Sequence, residues 1–279
     1  MNTVSGAAKN AKQPRGGFLS PSRFKKLEFD DGIVLNENEN VHGSIIGTVV
    51  ENLTSFVLGE PLEKAFATSL GGAEIAEKFT VVDATRFADI FINGIKGLDD
   101  QSIKYACMLV TFDVWTKNII VADMAARHYE VFADADTIKN IKIMVNRSVT
   151  FFEKYGEIQA HGFQFRPVGM DDNAYFDWIE SDDYEFGGYT KEVYNGEGDF
   201  LTSNALWDFK VLRTKITNKH TLQLLMYLVM GWHSGQDQYK NIELIGIFNP
   251  RINTAWVMYV DDIPNDTIHA IEKEIICYL

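Results

Sequence analysis

Asp208 follows Asp199 by nine positions, and Lys210 follows Asp208 by two, in the stretch Gly196–Lys210. That stretch reads as a tight β-hairpin. Successive side chains of a strand alternate faces, so Asp208 and Lys210 are expected on one side, with Trp207, Phe209 and Val211 on the other. Two carboxylates so placed can hold Mg²⁺, which takes hard oxygen ligands and keeps several waters, and the ion lowers the pKa of such a water until it can attack as hydroxide. The ammonium of Lys210 would orient that water or offset charge developing on a phosphate oxygen. The chemistry implied is metal-assisted hydrolysis of a phosphate ester.

The element that follows the hairpin must support these groups. Leu222, Leu224, Leu225, Met226, Leu228, Val229 and Met230 make a helix over about 218–232 that is apolar nearly all round, which implies burial. His220, Gln223 and Tyr227 lie at i, i+3 and i+7 and form one polar stripe along it. Buried polar groups cost free energy unless paired, so the stripe must face partners. These are either backbone groups of a sheet, or Lys210, a site water and a bound phosphate. Consecutive elements usually pack as neighbours, which favours the second set. His220 can equally be read as a helix-start histidine bonded to a nearby carbonyl. Lys210, Arg213, Lys215, Lys219 and His220 gather beside the carboxylates and suit phosphate contacts. Residues 1–26 also hold Lys9, Lys12, Arg15, Arg23, Lys25 and Lys26 without an acid, and there a solvated tail is the simpler reading.

Taken together, Gly196-x-x-Asp199, a short spacer, Trp207-Asp208-Phe209-Lys210, and Gln223-Leu224-Leu225-Met226-Tyr227 resemble the PD-(D/E)XK nuclease superfamily, in its RecB-like branch with a Gln-x-x-x-Tyr helix. Leu19-Ser20-Pro21-Ser22-Arg23-Phe24 is similar to the Ser-x-Ser-Arg opening of that branch. Gly47-Thr48-Val49-Val50-Glu51 resembles its Gly-Thr-x-x-His helix, with an acid in place of the histidine. The resemblance implies an α/β fold with a restriction-endonuclease-like mixed central sheet flanked by helices, and cleavage of phosphodiester bonds in DNA with Mg²⁺ or Mn²⁺. Carried over residue by residue, Asp199, Asp208 and Glu51 would ligate the metal together with the Phe209 carbonyl. Lys210 would activate water, and Gln223 and Tyr227 would hold Lys210, water or phosphate in position. Arg23, Arg213, Lys215, Lys219 and His220 would bind substrate. Members of the branch that carry an iron–sulfur cluster need four cysteines, so with Cys107 and Cys277 alone no cluster is expected.

The rest of the chain bounds these expectations. With 279 residues and 46% hydrophobic composition it can bury a substantial core. No apolar run suggests a membrane span and the first residues lack the centre of a secretory signal, so a cytoplasmic protein without membrane association is expected. The net charge of −13 argues against indiscriminate nucleic-acid binding. The expected organisation is a flexible basic arm over 1–17, then a single nuclease-like domain over 18–279 with a helical insertion at about 61–156 and an acidic loop at about 168–189. Helices are expected at Gly43–Leu58, Pro61–Ala76, Ala84–Gly97, Ser102–Thr116, Ala122–Ala133, Ala135–Tyr155 and Pro264–Tyr278, and strands near 162–167, 242–248 and 254–260. Both cysteines read as buried thiols. The six histidines show no HxH or HxxxH spacing, and neither a Walker A sequence nor a Gly-x-Ser-x-Gly elbow is present. An alternative from another class is a non-catalytic protein of nuclease fold whose acidic surface engages a protein partner or a nucleoprotein complex; a homo-oligomer is also compatible.

Overall fold

Ala205-Leu206-Trp207-Asp208-Phe209 is buried at every position, the pattern of a strand covered on both faces. The computed structural model describes residues 2–80, 82–117, 131–167 and 187–278. The chain divides into two compact units, one made of Met1–Phe29 with Tyr155–Leu279 and the other of Asp30–Lys154.

The first unit begins with β1 (Asn2–Thr3) and α1 (Val4–Asn10). A short turn at Pro21–Arg23, capped by the Ser20 hydroxyl, leads to β2 (Lys25–Glu28). The second unit holds α2 (Gly43–Val57), α3 (Leu62–Ala65), α4 (Ala67–Phe79), α5 (Ala84–Gly94), α6 (Asp100–Leu109), α7 (Asp113–Lys117) and most of α8 (Ala135–Tyr155). The chain then returns to the first unit through β3 (Ala160–Phe163), β4 (Val193–Asn195), β5 (Gly198–Leu201) and β6 (Ala205–Phe209). The last elements are α9 (Asn218–His233), β7 (Leu244–Asn249), β8 (Thr254–Tyr259) and α10 (Asn265–Ile271).

Six of the strands form one open sheet in the order β2-β8-β7-β6-β5-β3, and β1 pairs with β4 separately. Within the six-stranded sheet only β6 and β7 run parallel, so the sheet is mixed and the fold is α/β. A parallel pair requires a crossover of at least a dozen residues or so. Helix α9 supplies it, and this is why α9 packs on β6 and β7. Trp207 of β6 stands in register with Gly246 of β7, where an added Cβ would lie 2.1 Å from the indole. Only glycine leaves room for that ring. The core joins Leu222, Leu225 and Val229 of α9 to Ile245 and Ile247 of β7 on one side and to Val4, Ala7 and Ala8 of α1 on another.

The N-terminal segment therefore departs from the expected flexible arm. Val4, Ala7 and Ala8 form an apolar stripe at i, i+3 and i+4, and their burial against α9 holds residues 2–10 as a strand and a helix. The expected single domain with an insertion at 61–156 also differs from the observed division, because the inserted helical unit starts at Asp30 and takes α2 with it. The reason lies in the polar stretch 30–42, which is tied to α8 by hydrogen bonds. Arg147 forks onto Asp31, Nε to Oδ2 at 2.6 Å and Nη2 to Oδ1 at 2.8 Å, and Nη2 also donates to the Ile33 carbonyl at 2.7 Å. Asn140 closes on Asn36 in both directions, accepting from its N–H at 2.9 Å and donating to its carbonyl at 2.8 Å.

Smaller differences have local causes. The helix expected at Pro61–Ala76 is two helices, because Phe66 leaves helical geometry between them (φ −112°, ψ 21°). The expected C-terminal helix ends at Ile271 and widens into a π-helical turn over Glu272–Ile276, with Cys277 left-handed at φ 64°. Cys107 is buried as expected, whereas Cys277 is exposed. The helix expected at Ala122–Ala133 and the acidic loop at 168–189 fall almost wholly outside the described residues. Among the described residues no helix is long and apolar enough to cross a membrane.

Candidate functional site

β5 and β6 pair antiparallel with Phe200 opposite Trp207 and Leu201 opposite Leu206. Continued by one residue, that register sets Asp199 opposite Asp208. The backbone N–H of Phe209 donates to Asp199 Oδ2 at 2.5 Å, which holds this carboxylate against the neighbouring strand. Asp208 is fully buried, and Lys210 Nζ stands 2.7 Å from its Oδ1. Lys210 is itself anchored by its backbone N–H, which donates to the Phe248 carbonyl at 3.0 Å at the end of the β6–β7 ladder. Like charges placed directly across a strand pair destabilise it, and one ammonium beside two carboxylates leaves an excess negative charge when all three are ionised. Such a trio suits a cation.

Tyr227 of α9 lies buried within the field of the two carboxylates. Its ring stacks on Phe165 with centroids 5.5 Å apart and meets Phe163 edge-on at 6.4 Å. Burial, and then the charges of Asp199 and Asp208, push the Tyr227 hydroxyl well above the usual phenol range; hydrogen bonds from Gln223 and Ser5 act in the other direction. The Gln223 amide donates to the Tyr227 hydroxyl at 2.6 Å and to the Ser5 hydroxyl at 2.9 Å. Gln223 thus ties the polar stripe of α9 to α1 through Ser5. Ser5 was not among the residues expected here, although the apolar spacing of Val4, Ala7 and Ala8 marks the helix that carries it.

His220 closes the start of α9. Its Nδ1 accepts the Thr217 N–H at 3.1 Å in a capping box, so the bonded partner is a backbone donor in place of the carbonyl considered from sequence. That bond fixes the neutral tautomer with its proton on Nε2. Burial, then the nearby charges of Lys210 and Lys219, depress the imidazole to about 4.

The other expected residues distribute as follows. Phe209 is buried, directly follows Asp208 at the end of β6, and gives its backbone N–H to Asp199. Arg213, Lys215 and Lys219 are exposed, the first two on the link between β6 and α9 and the third in the opening turn of α9. Arg23 is exposed and donates to the Asp262 carbonyl at 3.0 Å. Glu51 lies partly buried on α2 of the helical unit, and Asp199 and Asp208 belong to the sheet unit.

Among the described residues no group of three or more His, Cys, Asp or Glu side chains is arranged to hold a metal ion. The donor set at the hairpin is two carboxylates. Mg²⁺ is commonly bound through one or two carboxylates plus waters and substrate phosphate, so the set fits that ion's chemistry. The chain matches no family model, no curated protein and no solved structure.

Proposed function

We propose that this protein is a metal-dependent nuclease that hydrolyses phosphodiester bonds of DNA in the cytoplasm, with a PD-(D/E)XK-type site on its mixed sheet. The observation that carries the reading is that Asp199 accepts the Phe209 N–H, next to Asp208 in the neighbouring strand, while the Lys210 ammonium stands 2.7 Å from the buried Asp208 carboxylate. The parallel β6–β7 pair joined by α9 supports the same architecture. Asp199 and Asp208 would hold Mg²⁺ or Mn²⁺, which supplies Lewis-acid polarisation of the scissile phosphate and a water of lowered pKa. Lys210 offsets charge developing on the phosphate, in a setting dry enough to make that attraction count. Tyr227, whose hydroxyl feels the charges of both carboxylates and accepts from Gln223, would help hold water or phosphate in position. Lys219, Arg213 and Lys215, with the N-terminus of α9, favour the phosphate backbone of a substrate and offset the chain's negative field locally.

Purified wild type and Lys210→Ala incubated with linear, circular, single-stranded and duplex DNA, with and without Mg²⁺ or Mn²⁺, test the reading. Metal-dependent products are expected from wild type, and their near-complete loss from a folded Lys210→Ala. Intact substrates in every wild-type reaction would overturn it and leave the acidic binding protein as the better reading.

A further inference from the structure

Residues 1–27 and 209–236 contain no acid, in a chain whose net charge is −13. Composition alone leaves the first stretch as a solvated tail. The fold instead lays its residues 5–19 along the second. Ser5 of α1 accepts from the Gln223 amide of α9 at 2.9 Å, and further on Gln13 donates to the Asn218 carbonyl at 3.3 Å. Rising numbers in the first segment thus meet falling numbers in α9, so α1 runs antiparallel to it. A turn over residues 14–17, closed by the Gly17 N–H on the Pro14 carbonyl at 2.9 Å, then seats on Asn218. A Cβ at Gly17 (φ 84°) would lie 2.7 Å from the Asn218 side chain, so glycine permits both the turn and the contact. Thr221 of α9 completes the seam by donating its hydroxyl to the Leu19 carbonyl.

This register fixes where the cations stand. Residues four apart on a helix are neighbours on one face. Lys9 comes four residues after Ser5, and Lys219 four residues before Gln223. Because the helices are antiparallel, both lie one turn from the Ser5–Gln223 bond in the same direction, toward the start of α9. Lys12 precedes Gln13 and Arg15 follows it by two, while Arg213 and Lys215 lie on the link that joins Lys210 to α9. All six are exposed, and among the described residues Lys9, Lys12, Arg15 and Lys219 form no ion pair. The exposed Glu192 and Glu197 lie toward the other end of α1, where β1 pairs with β4. Lys25 and Lys26 of the same acid-free stretch stand apart, on β2 at an edge of the sheet, and Lys26 pairs with Glu28.

We propose that the N-terminal segment is half of a phosphate-binding track: Lys9, Lys12 and Arg15 join Lys219, Lys215 and Arg213 in one acid-free surface that holds the DNA backbone leading away from the carboxylates. The inference rests on the nuclease reading for the identity of the polyanion. Gathered cations without counter-charges repel one another and draw in an external anion. A phosphodiester strand fits, because it presents regularly spaced negative charges, and contacts to it set position without reading bases. Neutralising phosphates releases counterions, so each cation at work here leaves its mark on the salt dependence of binding.

The test compares full-length wild type, a Lys9→Gln/Lys12→Gln/Arg15→Gln variant and a Lys25→Gln/Lys26→Gln control, each checked by thermal melting. Should the triple variant melt early, Lys12→Gln/Arg15→Gln, which leaves α1 untouched, takes its place. Binding of a labelled DNA duplex is followed by fluorescence anisotropy without divalent metal over a series of NaCl concentrations, and cleavage is measured with Mn²⁺. In wild type the logarithm of the binding constant is expected to fall linearly with the logarithm of salt concentration. The triple variant should lose about 0.9 from that slope for each cation removed, and raise KM with kcat unchanged, while the control follows wild type. An unaltered slope and KM in the folded variant would overturn the proposal, and wild-type cleavage would keep the nuclease reading. A flatter slope in a series that cleaves nothing would overturn the nuclease reading and keep the track. A control that flattens as much as the variant would mean that binding follows total charge, which overturns the proposal. So would a wild type that binds no DNA at any salt concentration.

Discussion

Each unit contains a buried or half-buried ion pair, and the two pairs serve different ends. In the helical unit Arg147 meets Asp31 through two hydrogen bonds and spends a third on the Ile33 carbonyl, so one cation balances one anion and closes one loop. The guanidinium holds the Asp31 carboxyl below the usual range. In the sheet unit Lys210 Nζ stands 2.7 Å from Asp208 Oδ1, and Asp199 of the adjacent strand accepts the N–H of Phe209, the residue after Asp208. The first arrangement is explained by the fold it stabilises. The second retains a like-charge opposition that a folding optimum would remove, and such local conflicts are expected where a chain does chemistry.

The contrast is broken most directly at Asp208. Asp208→Asn keeps the shape, relieves the charge opposition and removes a ligand, so DNA cleavage is expected to fall by at least roughly 100-fold. Its melting temperature should be unchanged or higher. A variant that melts earlier yet cleaves normally would make this aspartate a structural one, like Asp31. Arg147→Ala should behave in the opposite sense and cost roughly 2–3 kcal/mol in urea unfolding, the scale for hydrogen bonds to charged groups. No loss there would mean that the Asp31 fork is incidental to the helical unit. Gly246→Ala sharpens the comparison from the packing side: its methyl group would meet Trp207, and overpacking of that kind costs roughly 1–3 kcal/mol. Because Trp207 precedes Asp208, this variant should also lower cleavage if strand position matters to the site, which a kcat measurement on the folded fraction would show.

The legibility of these features from sequence follows their range. Strand alternation placed Asp208 and Lys210 together, since a two-residue period is a local property, and they meet at 2.7 Å. The all-round apolar character of 218–232 marked α9 as buried for the same reason. What covers α9 was not legible, because α1 carries only three buried apolar residues in a stretch of Gly, Ala, Asn and Lys. Its fold depends on the partner it packs against, and its own propensity is modest. The boundary at Asp30 was hidden similarly. Asn36, Asn40 and Asp31 look like loop residues, and their bonds to α8 cross about a hundred positions of sequence, a separation that no local pattern encodes.

His220 gives the smallest expected effect and separates a helix cap from a group attuned to the cluster. Its imidazole is held neutral down to about 4 in the folded chain by burial and by Lys210 and Lys219, whereas in the unfolded chain it takes a proton near pH 6.5. Between those values the unfolded state binds more protons, so this residue's share of stability is present above about pH 6.5 and is lost as pH falls toward about 4. His220→Gln preserves the capping box, since Gln at that position can accept the same backbone N–H, and it removes the titration. Thermal melts of both proteins from pH 7 to pH 4.5 should therefore show a shallower decline for the variant, with the two curves differing least at pH 7. Arg147→Ala supplies the control from the other unit, because its offset from wild type should stay nearly constant over that range. Parallel curves for wild type and His220→Gln would mean that the imidazole does not feel the lysines, and that His220 caps α9 without reporting on the site beside it.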